Sequence, residues 1–477
     1  MLSRTKYAAL LMGFRCRDRS SLTRGRQLKR IAALMAFCLL GTSAKAQQET
    51  ATAERPTISL TVAQAVDLAM QHNRRLRLAR LSVDLSKEKQ SIAKSNYYPH
   101  ISNQSTALYV TELQGVSIPA GALGGSAATG LVPPRTVSVG QGALDTFTSG
   151  TGLTQPITQL LKIHAGEKAA IADVRSAEFD EADTENSISL VVHQLYFNIL
   201  TQQAHLEAAK QSVSAAQIAE AESSKEVSEG RSLEVAVLQA HASMLDQQQT
   251  VLTQQLSIDD AMLQLDDTLG LPLGTRLVLD DSVGDAPQVP ARAEAYASIL
   301  SHNPKVLSAQ QTVEKARAGV SAARDAYIPD ITGLARYSYQ SGVPFLAHNF
   351  GTFGGAITFD LFDGGAREAK VNQAKIELKI ADTQLQQTES EIRIQISAAY
   401  DKVERLQQLV SVVEEAYRVR TEVARVSSEQ VAHSAALEST AAKEAAAAYD
   451  TKASLLEAKL GLFLATNDIQ QMLGQRP

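Results

Sequence analysis

The chain has 477 residues, 46 Lys and Arg against 51 Asp and Glu, and an apolar fraction of 44%, which is too polar for a polytopic helical membrane protein. Residues 1–46 hold ten of the basic residues and one of the acids, so the remainder has 36 against 50, a net charge of −14. That is the wrong sign for a nucleic-acid partner.

The N-terminus combines a basic stretch, a short apolar run from Ile31 to Leu40, and the small-residue pattern Ala44-Lys45-Ala46. This reads as a secretory signal peptide over 1–46, its apolar run too short to span a bilayer. Met12 offers a second possible start for translation. The only cysteines, Cys16 and Cys38, fall inside this segment, so the exported chain rests on no disulfide, thiol catalysis or thiolate metal site. Phe37 precedes Cys38 where a lipid-attachment signal wants a small residue, so no N-terminal lipid is expected.

Next comes a helical segment over Thr57–Asn96, ended by Tyr98-Pro99, because the residue before a proline disfavours helix. Two strand-like stretches follow, separated by a Gly/Pro/Ser-rich stretch from Gly115 to Gly142 that reads as a surface loop. From Lys162 to Leu271 there is no proline, and Ala, Glu, Gln, Leu and Lys predominate, all strong helix formers. Ser228-Glu229-Gly230-Arg231-Ser232 interrupts this run, predicting two helices around a tight turn at Gly230. The first arm, about Leu161 to Val227, would be roughly 100 Å long at 1.5 Å per residue. Only a coiled coil or a tunnel wall needs such a helix.

The pattern then recurs. His72-Asn73 and Tyr98-Pro99 reappear as His302-Asn303-Pro304 and Tyr327-Ile328-Pro329, at an offset of 230. Gln155-Pro156-Ile157, Tyr196 and Leu269-Gly270 correspond to Phe359-Asp360-Leu361, Tyr400 and Leu473-Gly474, at an offset of 204. The second helical segment is Val289–Ala326; the second proline-free stretch, Gly364 to Arg476, is interrupted at Ala432-His433-Ser434. The chain thus divides into a first repeat, 47–270, a linker, 271–290, and a second repeat, 291–477, each with a helix, two strands and a long helical hairpin.

The strands of the second repeat alternate. Ile331, Gly333, Ala335, Tyr337 and Tyr339 share one parity, and Thr332, Arg336, Ser338 and Gln340 the other; Phe353, Gly355, Ile357, Phe359 and Leu361 oppose Thr352, Thr358 and Asp360. Tyr97–Leu161 and Tyr327–Asp363 together hold 12 of the 23 aromatic residues. Strands of about ten alternating residues with clustered aromatics suit a transmembrane β-barrel. A soluble antiparallel sheet would alternate in the same way. In lipid, four strands per chain cannot close a barrel and cannot leave an open edge. Identical copies must then join, a dimer giving eight strands and a trimer twelve.

The order of these motifs, twice over from Ser59 to Gly474, resembles the TolC-like outer-membrane efflux proteins. The resemblance rests on Ala69…Asn73 and Ala297…Asn303-Pro304, on the Tyr-Pro helix ends, on Phe359-Asp360-Leu361-Phe362-Asp363-Gly364-Gly365, and on Glu229-Gly230…Val235-Ala236-Val237-Leu238-Gln239-Ala240. The first repeat departs from it by lacking the double glycine. The resemblance implies a mainly α chain with four β-strands, forming a homotrimer with a twelve-strand barrel in the outer membrane and a long α-helical periplasmic tunnel. It implies a periplasmic adaptor (membrane fusion) protein and an inner-membrane pump or ABC transporter as partners, and a gate where the paired helices turn. The family's gate aspartates fall at Ala236 and Thr440. Gly230, Glu234, Ser434 and Glu438 are therefore the candidates for gate or adaptor contact, although Glu234 and Glu438 would equally serve as solvated carboxylates favoured at helix starts.

The remaining motifs read as architecture. Asp363-Gly364-Gly365 would turn strand into helix, with the Asp accepting backbone N–H groups; Pro99 and Pro329 mark the helix-to-strand passages. His72 and His302 occupy equivalent positions and suggest shared packing rather than metal binding. Asp259-Asp260…Asp266-Asp267 lacks the glycine-centred calcium-loop spacing. No nucleotide-binding loop, zinc-protease or nucleophile-elbow motif occurs. The expectation is a passive outer-membrane channel with no cofactor and no catalytic step, whose energy comes from its inner-membrane partner. A secreted periplasmic coiled-coil structural or adaptor protein is the alternative.

Overall fold

The structure, a computed structural model, describes residues 57–111, 115–140, 145–281, 287–341 and 347–474; the expected signal peptide lies outside them. In chain order the elements are β1 (Thr57–Leu60), α1 (Val62–His72), α2 (Arg74–Ser95), β2 (His100–Tyr109), the short strands β3 (Gly115–Ile118), β4 (Gly125–Ser126), β5 (Gly130–Leu131) and β6 (Val137–Gly140), then β7 (Asp145–Pro156), α3 (Leu160–Ser228) and α4 (Glu234–Leu269). Then come β8 (Arg276–Leu279), α5 (Arg292–His302), α6 (Pro304–Arg324), a 3-10 turn (Asp325–Tyr327), β9 (Asp330–Ser341), β10 (Asn349–Thr358), α7 (Ala366–Ala432) and α8 (Glu438–Met472).

The first expected helical segment is not continuous in either repeat. It splits at Asn73 and at Asn303, which end one helix and cap the next with backbone in the extended region. Asn73 Oδ1 accepts the N–H groups of Arg75 at 2.8 Å and Leu76 at 3.3 Å, and its Nδ2 donates to the Thr268 carbonyl at 2.8 Å. Asn303 repeats this, accepting from Lys305 at 3.0 Å and Val306 at 3.4 Å and donating to the Met472 carbonyl at 3.1 Å. Each asparagine thus satisfies orphan donors of one helix while tethering the end of the distant hairpin. Those hairpins end in left-handed glycines, Gly270 and Gly474, where an added Cβ would stand 2.7 Å from the carbonyl oxygens of His72 and His302. The two histidines therefore mark a close backbone crossing.

The expected linker carries β8, which pairs in parallel with β1 over Thr57–Leu60 and Arg276–Leu279. Tyr196, fully buried, brings its hydroxyl within 2.8 Å of both the Leu60 and the Asp280 carbonyls. Tyr400 does the same work in the second repeat, donating to the Pro290 carbonyl at 2.8 Å. One core gathers around Tyr196, Phe197, Leu265 and Leu269, and a second around Ile299, Val306, Ile396 and Ile469. Burying each such side chain contributes about 1.5–3 kcal/mol. His193 stacks on Phe463 inside the first core, and burial pushes its imidazole pKa down.

From these cores the hairpins α3–α4 and α7–α8 run out side by side, with α3 at 69 residues and α7 at 67. Ala446, Ala453, Ala458 and Ala465 are buried along α8; small side chains let neighbouring helix backbones approach closely. At the other end the strands form one antiparallel sheet in the order β10-β9-β7-β2. The stretch 115–140, expected as a loop, prolongs the β2–β7 hairpin through pairings of β3 with β6 and β4 with β5.

The register settles the faces. Ile101, Leu153, Ala335 and Phe353 share one side with Phe147, Tyr337, Tyr339 and Ile357, while Gln104, Thr154, Arg336 and Thr352 share the other. The alternation read through Leu361 in the sequence stops three residues short. β10 ends at Thr358, and Phe359 turns under the Arg367 guanidinium at 4.7 Å.

Candidate functional site

The residues singled out from sequence fall at three heights. At the far end of the hairpins, α3 and α7 close with the same turn. Gly230 (φ 70°) and Ser434 (φ 60°) are its left-handed residues. The N–H of Gly230 bonds to the Val227 carbonyl at 3.0 Å and that of Arg231 to the Glu226 carbonyl at 2.8 Å; Ser434 bonds to Val431 and Ala435 to Gln430, both at 2.8 Å. This paired arrangement ends a helix by reusing its orphan carbonyls. Serine takes the glycine role in the second repeat at a cost of about 1–2 kcal/mol in backbone strain.

Glu234 and Glu438 are exposed first residues of α4 and α8, where the helix dipole favours a carboxylate. Neither returning helix has a side-chain cap from its own N-cap residue, Leu233 or Leu437. A missed residue, Glu222 on α3, accepts the N–H of Ser439 at 3.1 Å and so caps α8 from the other hairpin. No hydrogen bond or ion pair joins Glu234 to Glu438 among the described residues. Sequence spacing could not flag Glu222, because its partner lies 217 residues away.

Where the sheet meets the helices the two repeats differ. In the second, Asp363 accepts from Gly365 N–H at 3.0 Å and from Arg367 N–H at 2.9 Å, and Arg367 Nε donates to the same carboxylate at 2.8 Å. The Arg367 guanidinium also bonds the Asp360 carbonyl and lies over the rings of Phe359 and Tyr327. Arg367 first, then the backbone donors, hold the Asp363 carboxyl down at about 2. Gly364 and Gly365 are both left-handed, at φ 64° and 88°, and need to be glycine for that reason. In the first repeat α3 starts without them. There Thr158 donates to the Pro329 carbonyl at 2.7 Å and accepts from Ile331 N–H at 2.8 Å, while Lys162 pairs with Asp330 at 2.8 Å. Pro329 is thus both a helix-to-strand passage and the anchor of a cross-repeat staple. Pro99 lies just before β2, and the Tyr97 carbonyl two residues back accepts from Gln155 at 3.2 Å.

At the sheet itself, β2 and β10 are the two outer strands and neither has a second neighbour among the described residues. Phe353 and Ile357 on β10 and Ile101 and Tyr109 on β2 are all more than half exposed. The opposite face holds a hollow of about 480 Å³. Large apolar side chains also stand exposed along the helices, among them Leu245, Leu252 and Leu256 on α4 and Ile376 and Ile380 on α7. An apolar surface of this extent marks a face that is covered in the working molecule. No described helix is long and apolar enough to cross a membrane, which says nothing of a β-barrel.

Two long helical hairpins joined to an open antiparallel sheet, repeated within one chain, define the outer-membrane channel class of fold. The comparisons agree. The family model described as "Outer membrane efflux protein" matches residues 65–271 and 295–475, and the chain belongs to that family, whose members reside in the outer membrane. Among curated relatives, the probable efflux pump outer membrane protein SepC of Pseudomonas putida is 27% identical over 176 residues, 36% of this chain and 35% of that protein. The chain thus matches about a third of that relative's length. The solved outer-membrane channel CmeC of Campylobacter jejuni superposes with a TM-score of 0.71 at 16% identity, covering 87% of this chain and 85% of that one. For the outer membrane protein VceC of Vibrio cholerae the figures are 0.68, 17%, 87% and 96%; at these identities the likeness is one of fold.

Proposed function

We propose that the chain is one subunit of a homotrimeric outer-membrane channel that conducts solutes passively from the periplasmic side to the exterior. It would serve a tripartite efflux or type I secretion assembly, with a periplasmic adaptor protein and an inner-membrane pump or ABC transporter as partners, and would catalyse no reaction of its own. The observation that carries this reading is the sheet β10-β9-β7-β2: four antiparallel strands of 10 to 12 residues with both edges open. Strands of that length suit the thickness of a bilayer. Unpaired edges in lipid would leave backbone groups without partners, so β2 of one copy must meet β10 of the next. Three copies supply twelve strands, and the apolar stripes on α4 and α7 are covered in the same step. The naming of SepC as an efflux pump component supports the efflux arm.

Cysteines introduced along β2 and β10 test this directly, because the chain's own cysteines are confined to positions 16 and 38. The expected result is oxidative cross-linking into a species of three chains in outer-membrane fractions, with steady conductance of the purified protein in planar bilayers. Phe353→Asp, on the aromatic face, should abolish assembly, whereas Thr352→Asp on the opposite face should not. A monomer released without detergent would overturn the proposal and favour a soluble coiled-coil protein.

A further inference from the structure

The strands of the four-stranded sheet carry three ionised side chains, Asp145, Asp330 and Arg336. Asp145 opens β7 at the rim, opposite Tyr109. Asp330 opens β9 at the helix end and is taken by Lys162 at 2.8 Å. Arg336 stands alone in the middle of β9. It has neither an ion pair nor a hydrogen-bond acceptor for its guanidinium among the described residues. A bare charge at mid-strand is costly unless it faces water, and Arg336 lies on the face with Gln104 and Thr352 that lines the 480 Å³ hollow.

The surroundings are shaped to this side chain. Directly across from Arg336 on β7 is Gly152, and its own guanidinium reaches over Gly150, two residues along. Gly150 is buried, and a Cβ there would stand 2.6 Å from Arg336 Nη2 and 2.7 Å from Nε. Gly354 lines the hollow from β10. None of these three glycines has a left-handed backbone, so turn geometry does not require them. A side chain at Gly150 would displace the guanidinium, so the missing Cβ there leaves room for it on the sheet surface with its donors uncommitted. A guanidinium is permanently charged and presents paired N–H groups that match two oxygens of a carboxylate or phosphate.

We infer that Arg336 is a binding and selectivity site for oxyanions inside the barrel: it and its symmetry mates make a cationic waist that attracts anionic solutes and favours their passage. This rests on the channel reading, since it takes the threefold barrel to turn one cation into a ring of three facing one lumen. Low-dielectric walls focus such a field, and at physiological salt it acts over about 8 Å.

The experiment is planar-bilayer recording of the unmodified trimer, of Arg336→Gln, of Arg336→Lys and of Thr352→Glu. Thr352 is the direct cross-strand neighbour of Arg336 on β10, so a glutamate there neutralises the guanidinium without removing it. In a KCl gradient, the reversal potential of Arg336→Gln and of Thr352→Glu should move toward the potassium potential, and that of Arg336→Lys should stay near the unmodified value. Inorganic triphosphate added from the barrel side should reduce the unmodified current at low salt and not at high salt, with about tenfold weaker block in Arg336→Gln. Channels that conduct normally but show the same selectivity and block in every variant would overturn this inference and leave the channel reading intact. Failure of the unmodified protein to conduct at all would overturn the channel reading, and this inference with it. If Arg336→Gln does not assemble, Thr352→Glu and the sidedness of triphosphate block in the unmodified protein decide the matter; an unmodified channel insensitive to barrel-side triphosphate refutes the site.

Discussion

The two repeats solve the same folding problems, and they differ by location in how freely they do so. At the crossing near the cores they are almost superimposable in chemistry. Each uses an asparagine that caps one helix and holds the end of another, and each ends its hairpin with a glycine pressed on a histidine carbonyl. At the strand-to-helix passage they diverge: Asp363, Gly364, Gly365 and Arg367 make a self-contained turn, whereas Thr158 and Lys162 reach across to the other repeat. At the hairpin turn they keep the backbone path and exchange glycine for serine. Backbone contact explains the difference between the crossing and the turn. A Cβ at Gly270 or Gly474 meets a carbonyl oxygen 2.7 Å away, whereas one at Gly230 meets nothing within 4 Å, so a serine serves in the matching turn.

That contrast can be tested, beginning with the crossing. Gly270→Ala and Gly474→Ala each place a Cβ against a carbonyl in a left-handed backbone. Each should lower stability by about 3 kcal/mol, read as the temperature at which the assembly dissociates; tolerance of one alone would mean that the crossings are not equivalent. Asn73→Ala and Asn303→Ala should each cost about 1–2 kcal/mol by the same measurement. Asn73→Asp keeps the cap but loses the donor to Thr268 and should fall between alanine and the unmodified chain.

At the hairpin turns the effects are smaller and opposite in sign. Ser434→Gly should stabilise by about 0.5–1 kcal/mol and Gly230→Ser should destabilise by a similar amount, measured by denaturant unfolding. Two changes of the same sign would show that the turns are not alike. The smallest effect is one that acid removes. The Asp363 carboxyl, held at about 2 against an ordinary 3.8, stabilises the folded chain fully at higher pH, and that contribution is lost as pH falls from about 4 through about 2. Asp363→Asn should therefore lower the thermal midpoint above pH about 4 and match the unmodified chain below pH about 2. Gln159, its counterpart in the first repeat, cannot titrate.

The sequence shows the long helices, the internal repeat and the alternating faces of β9 and β10, because each is a local pattern of propensity or period. Asn303-Pro304 also contained the signal for a helix break, since a proline fits the first turn after a capping asparagine, but Asn73-Arg74 contains no such mark. The pairing of β1 with β8 was hidden: two four-residue runs more than 200 residues apart have no local signature. Separations of 168 to 217 residues hid Thr158, Lys162 and Glu222, each ordinary in its own helix or turn and meaningful only through a partner in the other repeat. The polar parity of Arg336 was legible. The glycines that make room for it were not, because they lie on a strand whose register against β9 only folding reveals.

The Glu222 carboxylate caps a helix that belongs to the other hairpin. Spreading the two hairpins at that height strips α8 of its borrowed acceptor and bares a backbone donor, an expense of about 1 kcal/mol. Contact is therefore the resting posture of this end of the molecule. The close packing of α3 on α8, with alanines buried along α8, holds the same contact, so this bond adds to it rather than setting its whole strength.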